Sequence, residues 1–430
     1  MLSRRNLLGL LGASLCFNGE EAWALSRTPH GGTLRISLPI STTRIDPHDP
    51  HDLSAALLGS SLFEPLYQEL VPGGVVFPTL AAELPKRRAR GVSIELRSDL
   101  RSASGQSLDA RVVAGSLSRA QKGLPQMRAL GRISTLGPRV LLETSLSTKA
   151  VAQLLSAPTS AIVPSGFTPH HPSGTGALFA IRTGLSVLAR NPWSPRGGSY
   201  LDAVQLRTED LRLCLRSFEK GSSHVALLGQ GLHQNGKRGA SFSLGIVGSL
   251  LLLPGKRLST FTRAGVLTGE LARTPSAGLK ALGVQPVLSG PQGKYRGPPL
   301  VIDVDAAQPW LFAIAEELAR VWNSPQAPIE ARGSSAQELA SRRRSGDFDA
   351  QLLFHREIDP VALNSVLFAM DGTPPPRSPS KTTLEWTARR LRLGFLGFLK
   401  AFGVMSPAVE GADSKGRFAL ENTFFTPPFD

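Results

Sequence analysis

Apolar and polar positions alternate first between Thr33 and Leu38, where Leu34, Ile36 and Leu38 alternate with Thr33, Arg35 and Ser37. This predicts a half-buried strand, ended by Pro39 and followed by a polar loop. The spacing then changes. Leu53, Leu57, Leu58, Leu62, Leu66 and Leu70, with Phe63 and Tyr67 one turn apart, predict a helix over 53–71. Strands are expected at 92–97, 139–143 and 224–228, and helices at 109–120, 149–155 and 209–219. Farther on, a strand at 300–305, a helix at 310–321, a strand at 329–332, a helix at 336–343 and a strand at 346–353 give a β-α-β-α-β order. That order argues for a parallel sheet. Residues 384–401 read as helical. The longest apolar run, Leu244 to Pro254, falls short of the roughly 18 residues a membrane span needs and reads as a buried strand or helix.

Composition narrows the picture. A chain of 430 residues is long for one core, so two or three domains are expected. The net charge of +15 raises the question of nucleic acid or an anionic surface. The basic residues are, however, spread along the chain, and the runs Lys86–Arg88, Arg342–Arg344 and Arg389–Arg390 carry no interleaved aromatics. A solvated basic surface is the better reading, and no nucleic-acid partner is expected. The two cysteines are Cys16, near the N-terminus, and Cys214, which reads as a small buried apolar residue. At the N-terminus, Ser3-Arg4-Arg5-Asn6-Leu7-Leu8 has the twin-arginine pattern, an apolar core runs from Leu7 to Phe17, and Ala22-Trp23-Ala24 supplies small residues for cleavage after Ala24. Residues 1–24 are therefore expected to be a removable export signal and the mature protein to be periplasmic. Leu15 before Cys16 does not suit lipid attachment.

Catalytic constellations are not evident. There is no Gly-x-Ser-x-Gly and no His-Glu-x-x-His, and Ser378-Pro-Ser-Lys381 lies in a proline-rich loop rather than at a helix start. Gly231 to Arg238 approaches a phosphate-binding loop, but Arg238 stands where the metal-holding hydroxyl belongs, and Gly174-Thr-Gly176 reads as a turn. An enzyme is not expected, nor a cofactor. Asp46, His48, Asp49, His51 and Asp52 lie close together. They are either a divalent-metal set or a solvated loop with Asp52 at a helix N-terminus, and the second reading is preferred.

Several stretches in order resemble a known family. These are Gly32-Thr-Leu-Arg35 with Asp46-Pro-His48, Leu66-Tyr67-Gln-Glu-Leu70, Phe77-Pro-Thr-Leu-Ala-Ala-Glu-Leu84, the run from Ile94 to Arg119, Gly174-Thr-Gly176, Asn191-Pro-Trp193 with Tyr200-Leu-Asp202, and Gly346-Asp-Phe-Asp349. Together they are similar to extracytoplasmic solute-binding proteins of family 5, which serve peptide and nickel ABC importers. The likeness is interrupted over about 230–295. It implies an α/β, two-lobed periplasmic-binding-protein type II fold with an inserted subdomain. Lobe I would hold 25–47, 160–232 and 400–430, the subdomain 48–159, and lobe II 233–399. It also implies a monomer that captures a small solute, peptide-like or anionic, and hands it to a permease. A secreted member that no longer transports is the alternative. By position, the cleft would include Ser41, Thr42, Thr43 and Arg44 after the first strand, and Phe354, His355 and Arg356 at the end of the 346–353 strand. In peptide-binding relatives an aspartate in this last segment receives the peptide's amino terminus. Here Arg356 stands in its place, ahead of the matching Asp359-Pro360. An arginine there favours a carboxylate or phosphate and repels an ammonium.

Overall fold

The computed structural model describes residues 30–69, 74–181, 185–228, 239–256, 276–285, 299–357, 363, 367, 394–411 and 420–425. The export signal, the phosphate-loop lookalike, the proline-rich segment and Asp359-Pro360 lie outside them. The N-terminal part runs β1 (Thr33–Leu38), α1 (Leu53–Leu62), β2 (Tyr67–Glu69), β3 (Val76–Pro78), β4 (Lys86–Arg88), β5 (Gly91–Glu95), α2 (Ala110–Gly123), β6 (Arg132–Leu136), β7 (Arg139–Glu143) and α3 (Thr148–Leu154). Next come β8 (Leu178–Ala180), β9 (Val187–Arg190), β10 (Ala203–Thr208), α4 (Leu211–Glu219), β11 (Val225–Leu228) and β12 (Ala240–Pro254). After these come α5 (Ala277–Ala281), β13 (Val284–Gln285), β14 (Leu300–Asp305), α6 (Pro309–Trp322), β15 (Ile329–Ser334), α7 (Ala336–Ser345) and β16 (Ala350–His355). The remaining strands are β17 (Gly394–Met405), β18 (Val409–Glu410) and β19 (Phe424–Phe425).

Among the described residues, eleven strands form one mixed sheet in the order β15-β14-β16-β12-β17-β11-β1-β10-β9-β8, with β13 added on β17. The expected parallel unit is present: β14 pairs parallel with both β15 and β16. At the other end β1 pairs parallel with β10 and β11. The two halves are joined by the long antiparallel pair β12 and β17. One end of that pair, Ala240–Ser243 with Phe402–Met405, lies beside β11, and the other, Ser249–Pro254, lies beside β16. Between these ends the register slips at Ser243/Gly245 and Ile246/Gly248, and it slips again at Leu250/Leu251 within the second end. Such bulges insert unpaired residues and increase local twist, so the sheet bends where the two halves meet. Gly245 takes φ +78°, a conformation that costs a residue with a side chain and costs glycine little.

Two apolar clusters fill the body. The first runs from Leu34, Ile36 and Leu38 through Leu53, Leu58 and Leu62 of α1 to Trp310 and Ile314 of α6 and on to Ile302 and Leu352. Trp310 is wholly buried, and its indole N–H donates to the Leu282 carbonyl at 2.9 Å. The second lies between 66 and 162, with α2 laid over the four-stranded sheet β4-β5-β7-β6. Asp109 starts α2 by accepting from the Arg111 and Val112 N–H groups, and Val113, Leu117 and Ala120 face inward. Cys214 is buried on α4 between Leu211 and Phe218, where burial raises its thiol well above the ordinary range.

Three expectations change. The helix predicted over 53–71 ends at Leu62. The residue before proline is pushed out of the helical region, and Pro65 has no N–H to continue the ladder. Accordingly Phe63 is extended, its N–H closes on Gly59, and Tyr67–Glu69 becomes β2. The helix expected over 384–401 is contradicted from Gly394 on, where the chain is β17. Strand β17 lies between β12 and β11 in the sheet, and an apolar run of this kind carries no period that separates strand from helix. The terminal strand that the resemblance implies over 418–425 is interrupted: a single tight turn spans Leu420–Asn422, and among the described residues Phe424–Phe425 pair with β18.

Gly248 sits at one of the register slips, where an added Cβ would stand 2.4 Å from the Phe354 ring and 2.5 Å from the His355 carbonyl. Gly248→Ala is expected to lower the unfolding free energy by ~1–3 kcal/mol, as overpacking does, measured by urea titration. The same change at Gly115 of α2, where no atom lies within 4 Å of the added carbon and the backbone is helical, meets no such crowding and serves as the control for packing.

Candidate functional site

The site is organised by the segment Asp46-Pro-His-Asp-Pro-His-Asp52. Each aspartate closes a turn on the chain just ahead of it. Asp46 Oδ1 accepts from the His48 N–H at 3.0 Å, and Asp49 Oδ1 from the His51 N–H at 2.9 Å. Asp52 caps α1 through the Ala55 N–H at 2.9 Å and also accepts from the Asp46 N–H at 2.8 Å. Aspartate before proline suits such turns, because its carboxylate replaces the backbone acceptor and proline sets the next φ.

The remaining donors and acceptors of this segment are spent on neighbouring elements. Arg119 of α2 grips Asp46 with two hydrogen bonds, of 2.9 and 2.6 Å, and donates to His48 Nδ1 at 2.7 Å. His48 donates from Nε2 to the Ala161 carbonyl at 2.8 Å. His51 donates from Nδ1 to the Phe354 carbonyl at 2.8 Å. The metal alternative therefore meets a set of ligands already committed to protein partners. Among the described residues no three His, Cys, Asp or Glu side chains stand together in a metal-holding group.

Burial and charge act strongly here. Burial works against the ionised Asp46, yet the Arg119 hydrogen bonds and the His48 N–H together hold its carboxyl below the ordinary value. Asp52 is pushed up to about 6 by burial, which its two backbone donors only partly offset. Burial and the adjacent Arg119 take His48 down to about 4. Burial, His51 and Arg356 take His355 down to about 3. Arg356 is lowered to about 10 by burial, with Asp52, Asp49 and Asp46 opposing, so it remains a cation at neutral pH.

A cavity of about 560 Å³ opens between α1, the sheet and the end of β16. Its walls are Ile36 and Leu38 of β1, Val225 and Leu227 of β11, Leu244, Ile246 and Val247 at the register slips of β12, Ala56, Leu57, Leu58, Ser60 and Ser61 of α1, and His355, Arg356 and Glu357. A second compartment of about 680 Å³ adjoins it along Ser60, Gln68, Gln126, Ala157, Pro158, Thr159 and Glu357, which border both. The cleft is thus mostly apolar with a few polar groups, the usual makeup of a small-molecule site.

The seven residues singled out in the sequence divide. His355 and Arg356 border the cavity. Phe354 is buried beside them, and its carbonyl holds His51. Ser41, Thr42, Thr43 and Arg44 do not border it. The N-terminus of α6 covers this loop instead: the Trp310 N–H donates to the Pro39 carbonyl at 2.9 Å, and the Ser41 N–H to Gln308 Oε1 at 3.2 Å. Thr42 meets Thr208, Thr43 holds His170 through its carbonyl, and Arg44 pairs with Asp49. The sequence reading missed Gln68, Gln126, Thr159 and Arg196. One signal was present, the polar pair Ser60-Ser61 in an otherwise apolar helix, both of which face the cavity.

Arg356 is itself fixed. Its N–H donates to the Pro50 carbonyl at 2.8 Å and its Nη1 to the Pro47 carbonyl at 2.9 Å. A Cβ added at Gly59 of α1 would lie 3.8 Å from its Nη2.

This architecture is the two-lobed fold of the periplasmic binding proteins. No family profile and no curated relative matches the chain. Its fold is similar to that of MoaA from A. tumefaciens R10, solved with mannopinic acid, at 15% identity and a TM-score of 0.70, over 94% of this chain and 100% of that one. It is also similar to NikA from Staphylococcus aureus, solved with Ni(L-His)2, at 15% identity and a TM-score of 0.66, over 92% and 100%. The oligopeptide-binding protein AppA from Bacillus subtilis, solved with a nonapeptide, is similar at 14% identity and a TM-score of 0.65, over 93% and 100%.

His48 and His355 have folded pKa values below that of a free imidazole. The unfolded chain therefore takes up their protons first, and their contribution to stability, complete above about pH 6.5, is lost as the pH falls toward 4 and 3. Asp52 acts in the opposite sense between its ordinary value and about 6, where the folded state binds the proton more readily. NMR titration of the histidine ring carbons is expected to leave His48 and His355 neutral at pH 5. Midpoints near 6.5 for both would contradict the buried geometry.

Proposed function

We propose that the chain is an extracytoplasmic solute-binding protein of family 5, which captures a small anionic or neutral solute in the cleft and delivers it to an ABC permease. One observation carries the reading: Arg356 borders the cavity beside the bulged strand β12. The resemblance in sequence implies that peptide-binding relatives place a ligand-binding aspartate there. A guanidinium there pairs with carboxylate or phosphate by two parallel hydrogen bonds and disfavours a peptide's ammonium. Two structures of similar fold hold acids, mannopinic acid in MoaA and agropinic acid in AgaA, and this supports the same choice. The division into lobes at 25–47, 160–232 and 400–430 on one side and 233–399 on the other belongs to this proposal. In it the bulged pair β12 and β17 serves as the hinge, and the protein works as a monomer that binds its solute without transforming it. Among the described residues no helix is long and apolar enough to cross a membrane.

Calorimetry with acidic solutes and with cationic peptides tests the ligand class. Acidic solutes are expected to bind, and Arg356→Gln to weaken them about 10- to 100-fold, the worth of one charge-assisted contact. Tight binding of cationic peptides, unchanged in Arg356→Gln, would overturn the assignment. Export has its own test. Replacing both Arg4 and Arg5 by lysine is expected to leave the uncleaved chain in the cytosol, read by fractionation and mass, whereas normal processing of this variant would count against the twin-arginine route.

A further inference from the structure

We propose that the outer face of the four-stranded sheet β4-β5-β7-β6 docks on an anionic phospholipid surface, independently of what the cleft binds. Charge is concentrated in this part of the chain. Residues 74–159 are one fifth of the sequence and hold thirteen Lys and Arg against five Asp and Glu, so they carry +8 of the total +15. Three of those five carboxylates are already engaged: Glu83 pairs with Lys86, Glu95 pairs with Arg139, and Asp109 caps α2. Most of the cations are left to act outward.

The fold gathers several of them on one face. Val92, Ile94, Val140 and Leu142 are fully buried in the cluster beneath α2. Side chains alternate across a strand, so Lys86 and Arg88 of β4, Arg139 of β7 and Arg132 of β6 belong to the opposite face. Arg88 and Arg132 lie at the same end of the sheet on its two edge strands, three interstrand gaps or roughly 14 Å apart. Arg90 stands in the turn between β4 and β5 at that end, and all three are exposed. Arg88 reaches the Ser93 hydroxyl at 3.3 Å, and none of the three makes an ion pair among the described residues. Glu143, opposite Arg132, offsets one of these charges. So wide a spread does not converge on one small anion and suits a plane of anionic headgroups. At the other end of the face Leu136, opposite Arg139, is 61% exposed. Leu84, 52% exposed, lies just ahead of β4, close to where the Ala82 N–H donates to the Glu95 carbonyl. Arginines with exposed leucines beside them suit a bilayer interface, where the cations meet headgroups and the apolar tips reach the acyl boundary. A nucleic acid or another polyanion would use the charges and leave the leucines in water. Leu84, Arg88, Arg90, Arg132 and Leu136 border neither compartment of the cleft, so the face is a separate site.

The test uses the mature chain from Leu25, so that the apolar stretch Leu7 to Phe17 cannot itself enter the bilayer. Co-sedimentation is measured with phosphatidylcholine vesicles containing about one-third phosphatidylglycerol and with phosphatidylcholine alone. The anionic vesicles are expected to bind about tenfold more tightly or better, and ~0.5 M salt to remove the difference. Replacing Arg88, Arg90 and Arg132 together by glutamine is expected to weaken this binding about tenfold or more. The same replacement at the exposed Arg207, Arg212 and Arg216, which removes equal charge from another part of the surface, is expected to weaken it about twofold or less. Leu84→Ser with Leu136→Ser is expected to weaken it about threefold or more. Thermal unfolding of every variant is expected to match the parent, because each replaced side chain is exposed. Equal binding to the two kinds of vesicle, or an Arg207 set that loses as much as the Arg88 set, overturns the proposal. A leucine double variant that binds unchanged also overturns it, in favour of an attraction that any polyanion would satisfy. The receptor reading is untouched by each of these outcomes.

Discussion

The grip of Arg119 on Asp46 is the constraint on which the site depends. Asp46 is nearly buried, and an ionised carboxylate in that position must be paired. The two parallel hydrogen bonds from Arg119 satisfy both oxygens and fix the direction of the loop, and the same arginine orients His48. With Asp46 held, the loop presents the Pro47 and Pro50 carbonyls to Arg356 and the His51 ring to the Phe354 carbonyl. One ion pair between α2 and this loop thus sets the cation at the cavity wall, although Arg119 does not border the cavity. Removing one partner of such a pair costs far more than the pair's net contribution, because the other charge is left desolvated.

The same device holds the far end of the sheet. Asp303 on β14 is fully buried, and Arg332 of the neighbouring β15 meets it with two hydrogen bonds, of 2.6 and 3.0 Å. Arg342 of α7 adds a third at 3.3 Å. Between these two anchored regions the connection is the pair β12 and β17, and its register slips fall where the cavity lies. With both ends anchored, any change in twist concentrates in the few residues whose ladder is already interrupted.

Much of this was legible in the residues. Alternation at Thr33–Leu38 and the β-α-β-α-β order after 300 place the two parallel portions of the sheet, because a buried face imposes its period directly. Asp52, read as a helix N-terminus, caps α1, and Asp109 and Asp210 cap α2 and α4 in the same way. Strand β17 was not legible: Gly394-Phe-Leu-Gly-Phe-Leu399 has no period that separates strand from helix, and only the flanking strands decide it. The candidate site was half legible. His355 and Arg356 follow from their place after a strand. The loop 41–44 follows from the same rule and yet is covered, because the N-terminus of α6 hydrogen-bonds onto it from a segment some 270 residues away in sequence. The second compartment is assembled from α1, β2, the 153–159 turn and the 196 loop, and no local pattern announces such a meeting.

The fold persists while the sequence does not, with 15% identity to MoaA over nearly the whole chain. Physical reasons allow this. Strand pairing is made by backbone groups, and an apolar core accepts many combinations of side chains of similar total volume. The sheet order and the crossing pair make few demands on identity beyond apolar positions and glycine at the tightest approaches. A ligand makes the opposite kind of demand. A cavity of this makeup is indifferent to most of its apolar wall, whereas changing one charge on it changes the sign of what is attracted. An aspartate at position 356 would attract an ammonium, and the arginine present attracts its counterpart. For that reason a shared fold leaves the ligand open, and what the cavity attracts has to be argued from its own wall, Arg356 first.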